Sequence, residues 1–285
     1  MVLEMLINPR RAERDPWEVF FIGIVYSSVS LFLSILIFKQ FASIVMVFLT
    51  TLACTYLVQG TLRLEERKDV AIHKEFTLLK EHGKALSFFM FLFLGFVVSF
   101  SLWYIILPHS LTSQLFSVQE QTINCVNAGG IQGCLTAPLD SFVKIFLNNL
   151  KVLLFVLVFA FFYGAGSVFI LAWNATVVAT AIGIFVRNSI STAAASLGLA
   201  SASQYFSSYS LGLLRYLTHG SLEILAYFIA ALAGGIISVA VTHHTFNSRK
   251  FNHVLSDSTD LIILSIGTLF LAALVEVFVT PVLFG

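Results

Sequence analysis

Charged residues are scarce in this 285-residue chain, where Asp, Glu, Lys and Arg together make up 11%. A soluble domain usually carries about 25% charged residues, because its surface must be hydrated. The scarcity therefore excludes a large soluble domain. Hydrophobic residues make up 58% of the chain and include 29 Phe, which is typical of helices packed against lipid. The formal net charge of +1 gives no basis for a nucleic-acid partner.

Cysteine is also rare, with three residues. Cys54 lies inside an apolar run, where a small buried side chain is the simplest interpretation. Cys125 and Cys134 flank a segment rich in Gly and Asn, and their spacing matches neither a zinc motif nor a redox CxxC. If that segment faces an oxidising compartment, the two residues are predicted to form a disulfide.

Long apolar runs dominate the rest of the chain. A membrane-spanning helix needs about 20 mostly apolar residues, and seven segments suggest an all-α, polytopic transmembrane bundle. They are Trp17–Phe38, Phe41–Val58, Leu86–Leu107, Val152–Trp173, Asn174–Val186, Leu211–Val241 and Leu261–Val282. The fifth, at about 13 residues, is short for a span and is interpreted as a candidate half-helix. The Ala- and Ser-rich linker over 189–210 can lie in the interface or dip back into the bilayer.

Lys and Arg are distributed unevenly between the spans. They cluster before the first span, between the second and third, and between the sixth and seventh, whereas 108–141 contains none. The positive-inside rule therefore predicts a multi-pass cell-membrane protein with a cytoplasmic N-terminus and an external C-terminus. In the second basic cluster, Arg63–Ala85, apolar residues at helical spacing predict an amphipathic helix on the membrane or a partner, or else a solvated connector. The chain is accordingly divided into 1–85, 86–141 and 142–285.

Polar residues inside the spans are the candidate functional residues, because ionisable groups are costly in hydrocarbon. His219 and Glu223 are four positions apart and share a helix face, with Gly220 beside them to leave room for another backbone. Helical rise places His219 at a depth similar to that of Glu276 and the paired asparagines, and Glu223 deeper, near the midplane. We expect Asn149 and Glu276 to be their hydrogen-bond partners. The full predicted polar knot comprises Asn148, Asn149, Asn174, His219, Gly220, Glu223 and Glu276.

The polar knot has two interpretations: hydrogen bonds that hold helices together, or a site for ions, protons or substrate. A zinc site would need three or four ligands, and His219 is the only histidine within a predicted span. The others, His82 among them, fall in or beside predicted loops. The chain also lacks a nucleophile elbow, a phosphate loop and a dinucleotide fingerprint. These observations favour a protein without metal, cofactor or catalytic activity over an intramembrane enzyme.

The C-terminal half resembles the stage II sporulation protein M family. The resemblance rests on the paired asparagines, a glycine-broken helix with Gly164 and Gly166, Asn174 at its end, and the later His-Gly-x-x-Glu. Ala175 replaces the expected Gly, and the first three spans and the Cys segment lie outside the family's pattern. The resemblance implies a non-enzymatic scaffold, which in spore formers organises cell-wall hydrolases during engulfment.

The leading interpretation is therefore an integral membrane scaffold or assembly factor. Its expected partners are the lipid bilayer and other membrane or envelope proteins, and a homo-oligomer is compatible with this role. The alternative is a small secondary transporter or channel that uses Glu223 and Glu276 to couple ions.

Overall fold

The computed structural model describes residues 8–72, 75–131, 138–163, 166–197, 202–243 and 248–279; inside these ranges, the side chains of 75–76, 125–131, 138–141, 162–163, 195–197, 202, 215, 217–219 and 243 are not described. The described chain is helical and contains no strand. The helices are α1 (Pro9–Arg14), α2 (Pro16–Ile37), α3 (Ala42–Ala71), α4 (Glu75–Ile106), α5 (His109–Leu115), α6 (Ser117–Ile131), α7 (Pro138–Tyr163), α8 (Ser167–Leu197), α9 (Ala202–His243) and α10 (Arg249–Leu274). A 3₁₀ turn, Lys39–Phe41, joins α2 to α3, and a π-helical turn, Val275–Val279, extends α10.

Seven of these helices are long and apolar enough to cross a membrane: α2, α3, α4, α7, α8, α9 and α10. The prediction of an all-α polytopic bundle is confirmed. Local sequence explains several helix starts. Pro16 begins α2, where its missing N–H costs nothing, and the Ser248 hydroxyl caps α10 by accepting from the backbone N–H of Phe251 at 3.2 Å.

Helix α9 is the centre of the bundle. It packs against α10, α7, α8, α3 and α4, and 72% of its spanning window is buried, compared with 22% for α10 and 11% for α7. The segment 226–236 is buried on all sides because it combines large residues with Ala and Gly. Helices α7 and α10 therefore form the rim of the bundle and leave most of their surface to the surroundings.

Small residues fix how closely α9 meets its neighbours. A Cβ added to Gly234 would lie 2.8 Å from the Cβ of Ala160 and 3.1 Å from the carbonyl oxygen of Leu157, both on α7. A Cβ on Gly235 would lie 2.6 Å from the Leu62 side chain on α3. Because no larger residue fits without movement, these glycines set the register of α9 against both helices.

The end of the bundle reached by the C-terminus of α4 is covered by α5 and α6. Gln119 of α6 is fully buried; it accepts a hydrogen bond from Ser43 at 2.6 Å and donates one to Thr176 at 3.1 Å. Arg187 of α8 donates to the carbonyl oxygen of Leu107, just beyond the last turn of α4, and lies over the Tyr104 ring at 4.9 Å. The described parts of 108–141 are therefore largely helical.

The prediction of a short fifth span is wrong. Helix α7 ends at Tyr163 and α8 runs from Ser167 to Leu197, 31 residues, so the fifth span is a full-length helix with Asn174 in its first half. Gly166 lies in the turn between them. Two helices therefore occur where one glycine-broken helix was expected, and glycine at 166 suits a turn because it readily leaves helical geometry. The linker over 189–210 is mostly helix as well, since α8 continues to 197 and α9 begins at 202.

The segment Arg63–Ala85, for which an amphipathic helix or a solvated connector was expected, is divided between two helices. Residues 63–71 continue α3, and residues 75–85 begin α4. The two extensions pack through charged side chains, as described below.

Candidate functional site

Glu223 of α9 lies at a junction of three elements. The Asn149 side-chain amide on α7 donates a hydrogen bond to Glu223 Oε1. The side chain of Glu276, in the π-helical turn after α10, lies close enough to the Glu223 carboxyl group for the two to interact. All three side chains are half-buried. We refer to Asn149, Glu223 and Glu276 as the intramembrane triad.

The register of the helices explains how the triad forms. Asn149 lies eleven residues before Ala160, and Glu223 lies eleven residues before Gly234. Because Ala160 and Gly234 are in close contact, three turns along each helix bring Asn149 and Glu223 level with each other. Helix α10 joins α7 through Phe146 and Phe270, whose rings meet edge to face at 5.9 Å.

The triad brings an amide group and two carboxyl groups from three elements together. The Asn149 amide donates and the Glu223 carboxyl oxygen accepts, so this bond ties α7 to α9. The nearby Glu276 side chain adds a polar contact between α9 and the turn after α10.

The other predicted members of the polar knot are placed differently. Asn148 is exposed on α7, and Asn174 donates to the carbonyl oxygen of Ile170 in its own helix at 2.8 Å. Within the described part of the chain, a Cβ on Gly220 would meet only Ile224 of the same helix, at 4.0 Å. No neighbouring backbone is described beside it, and the expectation that Gly220 accommodates one stays a prediction. The His219 side chain lies outside the described residues.

The predicted disulfide also falls outside the described residues. The Cys125 side chain and all of Cys134 are among the residues that are not described, and the pairing stays a prediction. Cys54 is a free, fully buried cysteine, in agreement with its interpretation as a small core residue.

A second polar site was not predicted from the sequence. We call it the ion cluster, and it comprises Glu13, Glu65, Lys68, Asp69 and His82. Lys68 lies 2.7 Å from Glu13 and 2.5 Å from Glu65. His82, on α4 and 2% exposed, lies 2.7 Å from Glu65 and 3.0 Å from Asp69. The earlier placement of His82 in a loop is therefore wrong.

The ion cluster holds three carboxyl groups and two cationic side chains in a buried space. Burial raises the pKa of Glu13 to about 7, although its contact with Lys68 acts in the opposite direction. The sequence did contain a signal for this site. Glu65 and Asp69 are four positions apart, so they share a helix face. Their partners His82 and Glu13 come from other helices, so the pairing itself could not be inferred from spacing.

A cleft of about 430 Å³ opens beside the ion cluster. Leu78, Leu79 and His82 line it from α4, and Asp257, Asp260, Leu261 and Leu264 line it from α10. Asp257 lies 2.8 Å from His253 on its own helix. Within the described chain, no group of three or more His, Cys, Asp and Glu side chains is placed to hold a metal ion.

A family model described as stage II sporulation protein M matches residues 85–281, more than two thirds of the chain. No curated protein and no solved structure matches the chain. The match begins inside α4 and therefore includes the third span and the segment with Cys125 and Cys134. The expectation that these parts lie outside the family's pattern is wrong. The intramembrane triad falls within the matched residues, whereas the whole ion cluster precedes them.

Proposed function

The chain belongs to the stage II sporulation protein M family, and from this premise we propose that it is a non-enzymatic integral membrane scaffold that holds partner proteins in the cell membrane. The family membership and the bundle of seven apolar helices support this role. The scarcity of charged residues also supports this role, because a protein without a large soluble domain acts mainly on other molecules in the same membrane.

The observation that carries the proposal is that the Glu223 carboxyl group contacts side chains from two other elements. Its partners come from α7 and from the turn after α10, so its polar atoms are used between helices. Interhelical hydrogen bonds in membranes contribute about 0.6 kcal/mol on average and up to about 2 kcal/mol. The triad therefore acts as a tie that keeps the rim helices in place on α9. A scaffold needs this rigidity to present a constant surface.

Orientation is part of the proposal. The N-terminus and the turn between α3 and α4 are cytoplasmic, and α5 and α6 lie outside. The distribution of Lys and Arg supports this arrangement. It places the ion cluster at the cytoplasmic end of the bundle and the C-terminus outside.

The experiment that tests the scaffold role is reciprocal purification from native membranes of the host. The full chain, tagged, is expected to recover a defined set of membrane or envelope proteins, and each of these, tagged in turn, is expected to recover the chain. The same protein in sealed liposomes is expected to give no more proton or cation flux than protein-free liposomes. Failure of the reciprocal step would contradict the proposal.

A second candidate function, a small transporter or channel, is favoured by one specific observation. Two carboxyl groups, those of Glu223 and Glu276, lie close together within the spanning helices, and Glu276 lies in a π-helical turn. Intramembrane carboxyl groups mark proton and ion pathways, and π turns are frequent at functional sites. Flux in liposomes that disappears in Glu223→Gln would establish this function in place of the scaffold.

A further inference from the structure

Lys151 of α7 is exposed on the rim of the bundle. It has no hydrogen-bond or ion-pair partner among the described residues. An unpaired ammonium is costly in hydrocarbon, and such groups almost always face the bundle interior, a water-filled space or a partner.

The position of Lys151 along α7 keeps it inside the bilayer. The helix has 26 residues, and Lys151 lies 13 residues from Pro138 and 12 from Tyr163. With a rise of 1.5 Å per residue, it is about 18 Å from the nearer end of a helix about 39 Å long. The hydrocarbon core is about 30 Å thick, so even if all of the excess length protrudes at one end, Lys151 remains about 9 Å or more below the surface. A lysine side chain reaches about 6 Å, too short to bring the ammonium out to the headgroups.

The neighbours of Lys151 make one continuous mixed face, which we call the α7 face: Lys144, Leu147, Asn148, Lys151 and Phe155. They lie at positions separated by three or four residues, and all are exposed. The exposed faces of other helices differ. The exposed side chains of α3 within the membrane include Ile44, Phe48 and Leu52, which suit lipid. The polar side chains of the α7 face, Lys144, Asn148 and Lys151, do not suit lipid.

Charge complementarity decides what covers this face. Two lysines and an asparagine among apolar side chains fit a helix that is apolar overall and carries a carboxylate. A second copy of this chain fits poorly, because a twofold axis along the membrane normal would place the α7 faces together and bring Lys151 against its own symmetry mate. We propose that the α7 face docks a membrane-spanning helix of a different protein, which carries an Asp or Glu opposite Lys151. The inference rests on the scaffold function proposed above and names the partner's chemistry.

The test uses a defined probe. A fluorescent Leu-rich transmembrane peptide with one central Glu, and the same peptide with Gln, are mixed with the labelled full-length protein in liposomes, and association is measured by energy transfer. The Glu peptide is expected to bind about tenfold more tightly than the Gln peptide, as one interhelical polar contact in a membrane allows. Lys151→Leu is expected to abolish this preference and Lys151→Arg to keep it. The matched control, Leu52→Ala on the exposed face of α3, is expected to leave it unchanged.

The outcomes separate this inference from the scaffold role. Equal binding of both peptides to the wild type, or a preference that survives in Lys151→Leu, overturns the docking proposal. The docking proposal is also overturned if energy transfer occurs between two labelled copies of the chain and is lost in Lys151→Leu, because that result identifies a homo-oligomer. Reciprocal recovery of native partners that persists in Lys151→Leu leaves the scaffold role standing while this inference fails. Glu-peptide binding without any recovered native partner supports the α7 face while the scaffold role fails.

Because Lys151 has no described partner within the chain, its variants are expected to melt within about 2 °C of the wild type.

Discussion

Gly95 of α4 lies directly against Gly23 of α2. A Cβ added to Gly95 would be 3.1 Å from the Cα of Gly23 and 2.3 Å from the carbonyl oxygen of Phe20. The backbones of the two helices therefore touch, with no side chain between them. This close approach is typical of helices that associate without a hydrophobic driving force.

We expect Gly95→Ala to lower the stability of the bundle by about 1–3 kcal/mol, because the new methyl group forces α2 and α4 apart. Thermal melting of the purified protein in detergent measures the change. Gly83→Ala is the matched control on the same helix, since nothing within 4 Å would meet its Cβ. The control is expected to be neutral or to gain up to about 1 kcal/mol from helix propensity. Equal losses in both variants would contradict the close-packing interpretation.

Substitutions of Glu223 separate a structural tie from an ion-coupling group. Glu223→Gln keeps most of the hydrogen-bonding capacity, so a structural triad predicts a small effect on melting. Glu223→Leu removes the hydrogen bond from Asn149 and the polar contact with Glu276, and it is expected to destabilise by about 0.6–2 kcal/mol. Melting curves of the two variants, compared with flux in liposomes, decide the question. An unchanged melting temperature in Glu223→Leu would contradict the interpretation that the triad holds the helices together.

The raised pKa of Glu13 predicts a dependence of stability on pH. Its folded pKa of about 7 lies above the ordinary value of 4.5, so the folded protein favours the protonated form. The contribution of Glu13 to the free energy of unfolding is fully present below pH 4.5 and is lost as the pH rises through 7. We expect Glu13→Gln to flatten the fall in melting temperature between pH 5 and pH 8, relative to the wild type. The control is Glu18→Gln, which alters a carboxylate paired with Arg11 outside the ion cluster. A curve of melting temperature against pH that runs parallel to the wild type in Glu13→Gln would refute the prediction.

Orientation can be tested by labelling single cysteines with a membrane-impermeant reagent. Gln119 is a poor reporter because it is fully buried, whereas Gln114 on α5 is exposed. In a background with Cys125 and Cys134 changed to Ser, Gln114→Cys is expected to react in intact cells. Lys80→Cys, exposed near the start of α4, is expected to react only after the membrane is opened. The reverse pattern would invert the topology.

Much of the fold could be predicted because hydrophobic length is a strong signal for spanning helices. Seven spans were expected, and seven helices of suitable length and composition occur in the described chain. The division between α7 and α8 could not be predicted, because the residues on both sides of Gly164 and Gly166 are equally apolar. Hydropathy then cannot distinguish a kink from a chain reversal.

The ion cluster escaped prediction for a different reason. A run of charges in sequence normally indicates a solvated surface, and the residues of 63–69 alone have that character. Their burial depends on partners that are distant in sequence: His82 lies 17 positions from Glu65, and Glu13 lies 55 positions from Lys68. Only tertiary packing brings them together. The same packing converts two connector segments into extensions of α3 and α4.

Helix α4 runs without interruption across residue 85, where the family match begins. Its first turns carry His82 of the ion cluster, and its later turns carry Gly95, which receives α2. A shortened protein that starts at the family boundary would therefore not be a free-standing minimal version. It would begin inside a helix and, without α2, would expose the backbone of α4 at Gly95 to lipid. The segment before residue 85 and the family region share one structural element, and evolutionary or engineered exchange of either part must preserve that shared helix.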